Sequence, residues 1–177
     1  MSAPVDQPRT GPVRAARPPA RRPPRGWTGA VGLVARLVLG GVLLAAGWLK
    51  VTDVTSSVQS VVAYELFSYE VSRIVGTMLP VVEIAVGLLL ITGLLTRASA
   101  VVGAALMIVF IAGIASAWAR GLSIDCGCFG TGGPIDPEDT RYLSEILRDL
   151  GLLALAGWLV VRPRTPFSLD QLLLKGR

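Results

Sequence analysis

Four stretches of the chain are predominantly apolar: about residues 29–49, 74–95, 98–119 and 142–161. At about 1.5 Å per residue, a helix of ~20 residues crosses the ~30 Å hydrocarbon layer of a membrane. Arg36 is the one charge inside the first run, Glu83 lies inside the second, and only Thr96-Arg97 separates the second from the third. A link that short makes the second and third spans antiparallel neighbours. The fourth run becomes purely apolar from Leu150. Its helix can begin near Pro137, with Asp136 as cap and Glu138 and Asp139 at the positive helix end. The pattern predicts an all-α membrane protein, a bundle of four transmembrane helices.

Between the first two runs, Val58, Val61, Val62 and Leu66 recur at helical spacing, followed by Tyr64, Phe67 and Tyr69. Thr55 or Ser56 can cap this short surface helix. It suits either a wall over a lipid-soluble ligand or docking surface, or an interfacial anchor rich in aromatic residues. Phe167 to Leu174 can form a second short surface helix.

Composition adds what the chain excludes. It has 177 residues, 52% hydrophobic and 16% charged, with 20 Gly, two Cys and no His. Four spans leave no room for another globular domain of ordinary size. The absence of His excludes His-based triads, His-ligated haem and the usual structural zinc sites built from this chain alone.

The net charge of +5 is not a nucleic-acid footprint. Arg9, Arg14, Arg17, Arg21, Arg22 and Arg25 sit in a Pro-rich segment with little to bury. Residues 1–28 therefore read as a disordered basic tail, either a solvated topogenic arm or a site for anionic lipid or a partner. The first run is longer than a signal-peptide core and lacks a clear small-x-small cleavage site, so it is expected to remain as a span. Arg97, Arg162, Arg164, Lys175 and Arg177 fall on the same side as the tail, whereas seven acidic residues accompany Lys50, Arg73, Arg120 and Arg141 on the other. This bias places both termini in the cytoplasm, residues 163–177 included, and the two long connections outside the cell membrane.

The second of those connections runs Asp125-Cys126-Gly127-Cys128-Phe129-Gly130 and holds both cysteines. Two thiols separated by one Gly can close a small, strained disulfide, which is a good electron acceptor and a poor staple. On an oxidising face this favours a redox pair. Two inert cysteines in a tight turn are the plainer reading. Metal binding ranks third, since two thiolates without His leave coordination incomplete. Local charge does not choose the attacking sulfur, because Arg120 and Arg141 favour thiolate while Asp125 opposes it. Arg36 and Glu83 each begin a strip of small residues (Gly40 and Gly47; Gly87) suited to close helix contact. Charges at that depth face the interior and find partners. Glu83 can pair with Arg36 or with Lys50, and the three make either a structural pair or a polar site for a quinone head group or a proton.

These residues together resemble a known family. Arg36, Gly40, Gly47 and Lys50, the Leu79-Pro80-x-x-Glu83-x-x-x-Gly87 run, Gly93-Leu94-Leu95-Thr96-Arg97 and Cys126-Gly127-Cys128-Phe129-Gly130 are similar to the DoxX-like membrane proteins, in particular the methylamine-utilisation MauE branch. The resemblance covers about residues 29–162. It implies a four-helix membrane domain working with an extracytoplasmic thioredoxin-fold partner in disulfide formation or maturation of exported proteins. Cys126 and Cys128 would then exchange between dithiol and disulfide, as a thiol-disulfide oxidoreductase component. With no second relay pair, their electrons leave to a bound quinone or through the partner. The competing class is a non-catalytic assembly subunit with a structural Cys pair.

Overall fold

The computed structural model describes residues 26–129, 132–163 and 168–169. Residues 1–25 of the basic tail, Gly130, Thr131 and the expected second surface helix apart from Ser168 and Leu169 lie outside the described residues, whereas Gly26–Thr28, expected as part of the disordered tail, begin the first helix. The described chain is mostly helical: α1 (Gly26–Thr52), α2 (Val54–Ala63), α3 (Tyr69–Thr92), α4 (Thr96–Ala119) and α5 (Tyr142–Val161). Two short strands, β1 (Ile124–Asp125) and β2 (Gly133–Pro134), pair antiparallel between α4 and α5. By length and composition, α1, α3 and α4 can each cross a membrane. The first half of α5 carries Glu145, Arg148 and Asp149, which sets it apart from those three.

The core forms where small residues let helices approach. On α1 the buried stripe Gly32, Arg36, Gly40, Leu43, Gly47 and Lys50 repeats every three or four residues, and α3 buries Gly76, Pro80, Glu83, Gly87 and Leu90 in the same rhythm. These two stripes meet. A Cβ on Gly87 would stand 2.8 Å from the Gly40 carbonyl and from the Leu44 amide nitrogen, so the two backbones touch. Around this contact Leu39, Leu43, Val86, Leu90, Met107, Ala156 and Leu159 form the main core.

Pro80 lies inside α3 and has no N–H to give the Gly76 carbonyl one turn earlier. The Ser57 hydroxyl of α2 donates to that carbonyl at 2.8 Å. A helix broken in this way is tolerated in lipid because a neighbour satisfies the freed oxygen. The same contact locks α2 on α3, and Gly76 is small enough to admit the Val58 backbone beside it.

This requirement changes the expected face of α2. Ser57 and Ser60 are its buried residues, while Val62 and Leu66 are exposed. The apolar periodicity is real, yet the carbonyl at Gly76 and the tight seat of Gly132 on Ser60 turn the serines inward. The cap is Asp53, whose carboxylate accepts from the Ser56 amide at 3.0 Å, rather than Thr55 or Ser56. The fourth helix also differs from expectation. Asp136 makes no side-chain cap, Pro137–Asp139 is a separate 3-10 turn, and extended Thr140 delays α5 to Tyr142.

The α3–α4 turn passes through Gly93 and Leu95, both left-handed (φ 70° and 50°). The two helices share this turn, but α3 packs mainly on α1 and α4 mainly on α5. Toward the end that carries the cysteine loop, a gap remains between α3 and α4, and α2 closes it from above.

Close α1–α3 packing makes a specific prediction. Gly87→Val forces Cβ into fixed backbone and should lower stability by about 1–3 kcal/mol or more. Gly151→Ala, with open space at its Cβ, should be neutral. Thermal unfolding in detergent, followed by tryptophan fluorescence, checks both.

Candidate functional site

The thiol loop is built by local hydrogen bonds. β1 leads out of α4 through a left-handed turn at Gly121, and the Tyr142 hydroxyl at the start of α5 joins both ends, donating to the Leu122 carbonyl at 2.6 Å and accepting from the Ile124 amide at 2.9 Å. The Asp125 carboxylate accepts from the Gly127 amide at 3.0 Å, and Gly127 takes φ 67°, a conformation that suits glycine. The chain thereby folds back so that the Cys128 amide points at Cys126 Sγ, 3.3 Å away. Both cysteines are free thiols, Cys128 buried and Cys126 half-buried. The Tyr64 hydroxyl at the end of α2 donates to the Cys126 carbonyl at 3.1 Å, and Arg120 donates to the Tyr64 carbonyl.

Under this loop lies the buried ion pair. Lys50 Nζ stands 2.6 Å from Glu83 Oε1, with both side chains almost fully enclosed, and Lys50 also sits 5.3 Å above the Phe110 ring. Of the two partners the sequence allowed Glu83, the structure brings in Lys50. Arg36 is buried elsewhere, its guanidinium packed against Gly93 at the opposite end of α3. Arg36 therefore stands apart from the group formed by Lys50, Glu83 and the thiols.

Three residues of α5 join the site without any motif to announce them. Glu145 and Asp125 bring carboxylate oxygens within 4.8 Å of each other and of Cys126 Sγ. Arg148 donates to Asp149 at 3.0 Å and lies 5.0 Å from the Phe129 ring. A helical pattern with Glu145 and Asp149 four residues apart was the available signal, since such residues share one face. Tyr64 was visible only as one aromatic residue among several.

Cys128 separates two spaces. One is a cavity of about 360 Å³ bounded by α2, α3, α4 and the thiol loop, whose lining includes Lys50, Tyr64, Phe110, Cys126 and Cys128. The other is a void of about 20 Å³ bordered by Glu83, Phe110, Cys128, Arg148 and Asp149. The second carboxylate oxygens of Glu83 and Asp149 are buried with no hydrogen-bond partner among the described residues.

The two sulfurs are electrostatically unequal. A hydrogen bond shared with the Cys126 thiol pulls Cys128 below the ordinary thiol pKa; Arg148 and, less strongly, Lys50 act in the same direction, against burial and the Asp149 carboxylate. The same hydrogen bond, followed by burial, pushes Cys126 up. Arg148 and Lys50, both distant from the loop in sequence, are among the leading influences on Cys128. The balance favours negative charge on Cys128 over Cys126, although the Cys128 amide at Cys126 Sγ acts the other way.

The family model described as methylamine utilisation protein MauE matches residues 28–162. A curated relative, the methylamine utilization protein MauE of Paracoccus denitrificans, is 37% identical over 122 residues, covering 68% of this chain and 63% of its own length. The chain thus spans less than two thirds of that relative. No solved structure matches significantly.

Two predictions follow from the geometry. Lys50→Leu and Glu83→Leu should each cost about 3–5 kcal/mol by stranding the other charge, and the double variant should recover part of that loss. Glu83→Leu and Arg36→Leu should instead be additive, as unfolding in detergent would register. For the thiols, Cys128 should react with iodoacetamide as thiolate at lower pH than an ordinary cysteine. Cys126→Ala, which removes the donated hydrogen bond, should move the midpoint of that profile upward, whereas Cys126→Ser should move it less.

Proposed function

The chain belongs to the MauE family, and from that premise we propose that it is a membrane thiol-redox protein that oxidises an extracytoplasmic thioredoxin-fold partner through Cys126 and Cys128. The observation that carries this reading is the placement of two free thiols in a half-open loop, folded so that the Cys128 amide meets Cys126 Sγ, beside a cavity that a buried lysine also lines. A structural staple gains little from so short a ring, and an inert pair does not need a cation near one sulfur.

In this proposal α5 is the fourth span beside α1, α3 and α4. The Arg148–Asp149 pair removes two of the charges that would otherwise oppose its insertion. The positive bias of the tail and of Arg97 and Arg162 keeps both termini in the cytoplasm of the cell membrane, with the thiol loop and α2 outside. Methylamine utilisation, the process in the relative's name, enters as the proposed setting, with maturation of exported disulfide proteins as the service performed. The thiol chemistry does not depend on that setting.

The exchange is balanced as follows. With Cys126 and Cys128 joined as a disulfide, a partner thiolate attacks Cys126, the more accessible sulfur. The S–S bond breaks, and Cys128 leaves as a thiolate stabilised by nearby Lys50 and Arg148, the better leaving group of the two. The partner's second thiolate then attacks its own sulfur in the mixed disulfide. The partner departs as a disulfide, and Cys126 leaves with the electron pair and takes up a proton. Glu145, next to Cys126, is placed to hold that proton.

The test is a trap in cells. In cells whose thioredoxin-fold partner lacks its second thiol, the wild-type chain should accumulate a covalent adduct joining Cys126 to that partner, and either single cysteine variant should stop turnover while the helices stay folded. If the Cys126→Ser, Cys128→Ser double variant at normal abundance matures exported disulfide proteins like wild type, the chain is instead a non-catalytic assembly subunit. Orientation has its own measurement: a membrane-impermeant maleimide should label the reduced loop in intact cells, and labelling only after permeabilisation would reverse the topology.

A further inference from the structure

A dithiol that has accepted two electrons must pass them on before it can act again. The chain contains only two cysteines, so no second thiol pair can take them within it. We propose that the cavity beside the thiols binds a quinone from the bilayer, which reoxidises the Cys126–Cys128 dithiol. This inference rests on the thiol-exchange reading above and names its electron acceptor.

Size, chemistry and access each support that occupant. The cavity of about 360 Å³ falls in the usual range of sites for small ligands. Val75, Leu79, Val109 and Phe110 make its walls apolar, while Lys50 and the two cysteines bring polar atoms to it. This arrangement suits a flat ring that carries carbonyl oxygens. Lys50 engages Glu83 with one of its three N–H donors, which leaves donors for a carbonyl oxygen.

Access argues for a lipid-borne molecule rather than one from water. Among the lining residues, Leu66, Phe67, Val109 and Ala112 are exposed, so the cavity opens between them, where α3 and α4 part. That opening lies on an apolar flank that hydrocarbon would cover. A tail can remain in the lipid while the ring lies against the sulfurs. A plain acyl chain would fit the walls but would leave the lysine and thiols without a role.

The step balances with no reagent besides water. One S–S bond forms between Cys126 and the Cys128 thiolate, and the Cys126 S–H bond breaks. The two electrons reduce the quinone to quinol, whose two oxygens take the Cys126 proton and one proton from water. The pair is again a disulfide, ready for the partner.

The experiment uses the full chain in lipid nanodiscs. In the first arm, a photoreactive azido-quinone is applied to the Cys126→Ser, Cys128→Ser double variant, which separates binding from thiol chemistry. Labelling should fall on the α3 and α4 peptides that line the cavity and be competed by decylubiquinone. Gly113→Leu, whose side chain would enter the cavity, should lower it by about tenfold or more, and Ala112→Phe at the rim provides a second variant should the first fold poorly. In the second arm, the reduced wild-type chain is mixed with decylubiquinone without oxygen and should yield one quinol for every two thiols lost. Labelling elsewhere, labelling indifferent to both variants, or no quinol from the wild-type chain overturns the proposal. A trapped partner adduct in cells together with any of those failures would leave the thiol exchange standing and remove only the quinone.

Discussion

Lys50 and Glu83 hold a full ion pair inside the helix bundle, and much of the molecule is arranged around that fact. An ammonium and a carboxylate at 2.6 Å offset the cost of leaving water only when both are enclosed and aligned. Their enclosure depends on α1 and α3 touching along Gly40, Gly47 and Gly87, since bulkier residues would separate the helices that carry the charges. The pair ties the last turn of α1 to the middle of α3. It thereby fixes the Lys50 ammonium beside the cavity that Cys126 and Cys128 also line.

The same α3 segment also seats the roof. Pro80 removes one backbone donor, the Gly76 carbonyl becomes available, and Ser57 of α2 takes it. From there α2 presents Tyr64 to the Cys126 carbonyl and Ser60 to Gly132, so both arms of the thiol loop are held by one short helix. The cavity is a consequence of this arrangement: α3 follows α1, α4 follows α5, and α2 bridges the gap. Proline, serine and glycine at these positions therefore connect helix geometry to the surroundings of the sulfurs.

Much of this was legible in the sequence, because hydropathy over about 20 residues is a strong signal and small residues on one helix face have few other uses. The long helices and the α3–α4 turn could be read directly, and the sequence singled out Cys126, Cys128, Lys50 and Glu83, which the fold brings near one another. The choice between Arg36 and Lys50 could not, since both lie on one stripe of α1 and only the packing offset between helices decides which meets Glu83. The burial of Ser57 and Ser60 was hidden because a valine pattern outweighs a hydrogen bond to a carbonyl elsewhere in the chain. Glu145, Arg148 and Asp149 were read as part of a fourth span rather than of the site. Their proximity to the thiols depends on how the loop returns after Gly133, which no local pattern encodes.

In the proposed cycle Cys126 and Cys128 form a redox pair rather than a staple or two idle thiols, which a redox titration of the purified chain in nanodiscs, with thiols counted by alkylation mass shift, can test. The expected result is a reversible two-electron transition confined to these cysteines, at a potential above about −300 mV, the region below which structural disulfides typically lie. A pair that never forms a disulfide, or one that stays oxidised well below that potential, would contradict it.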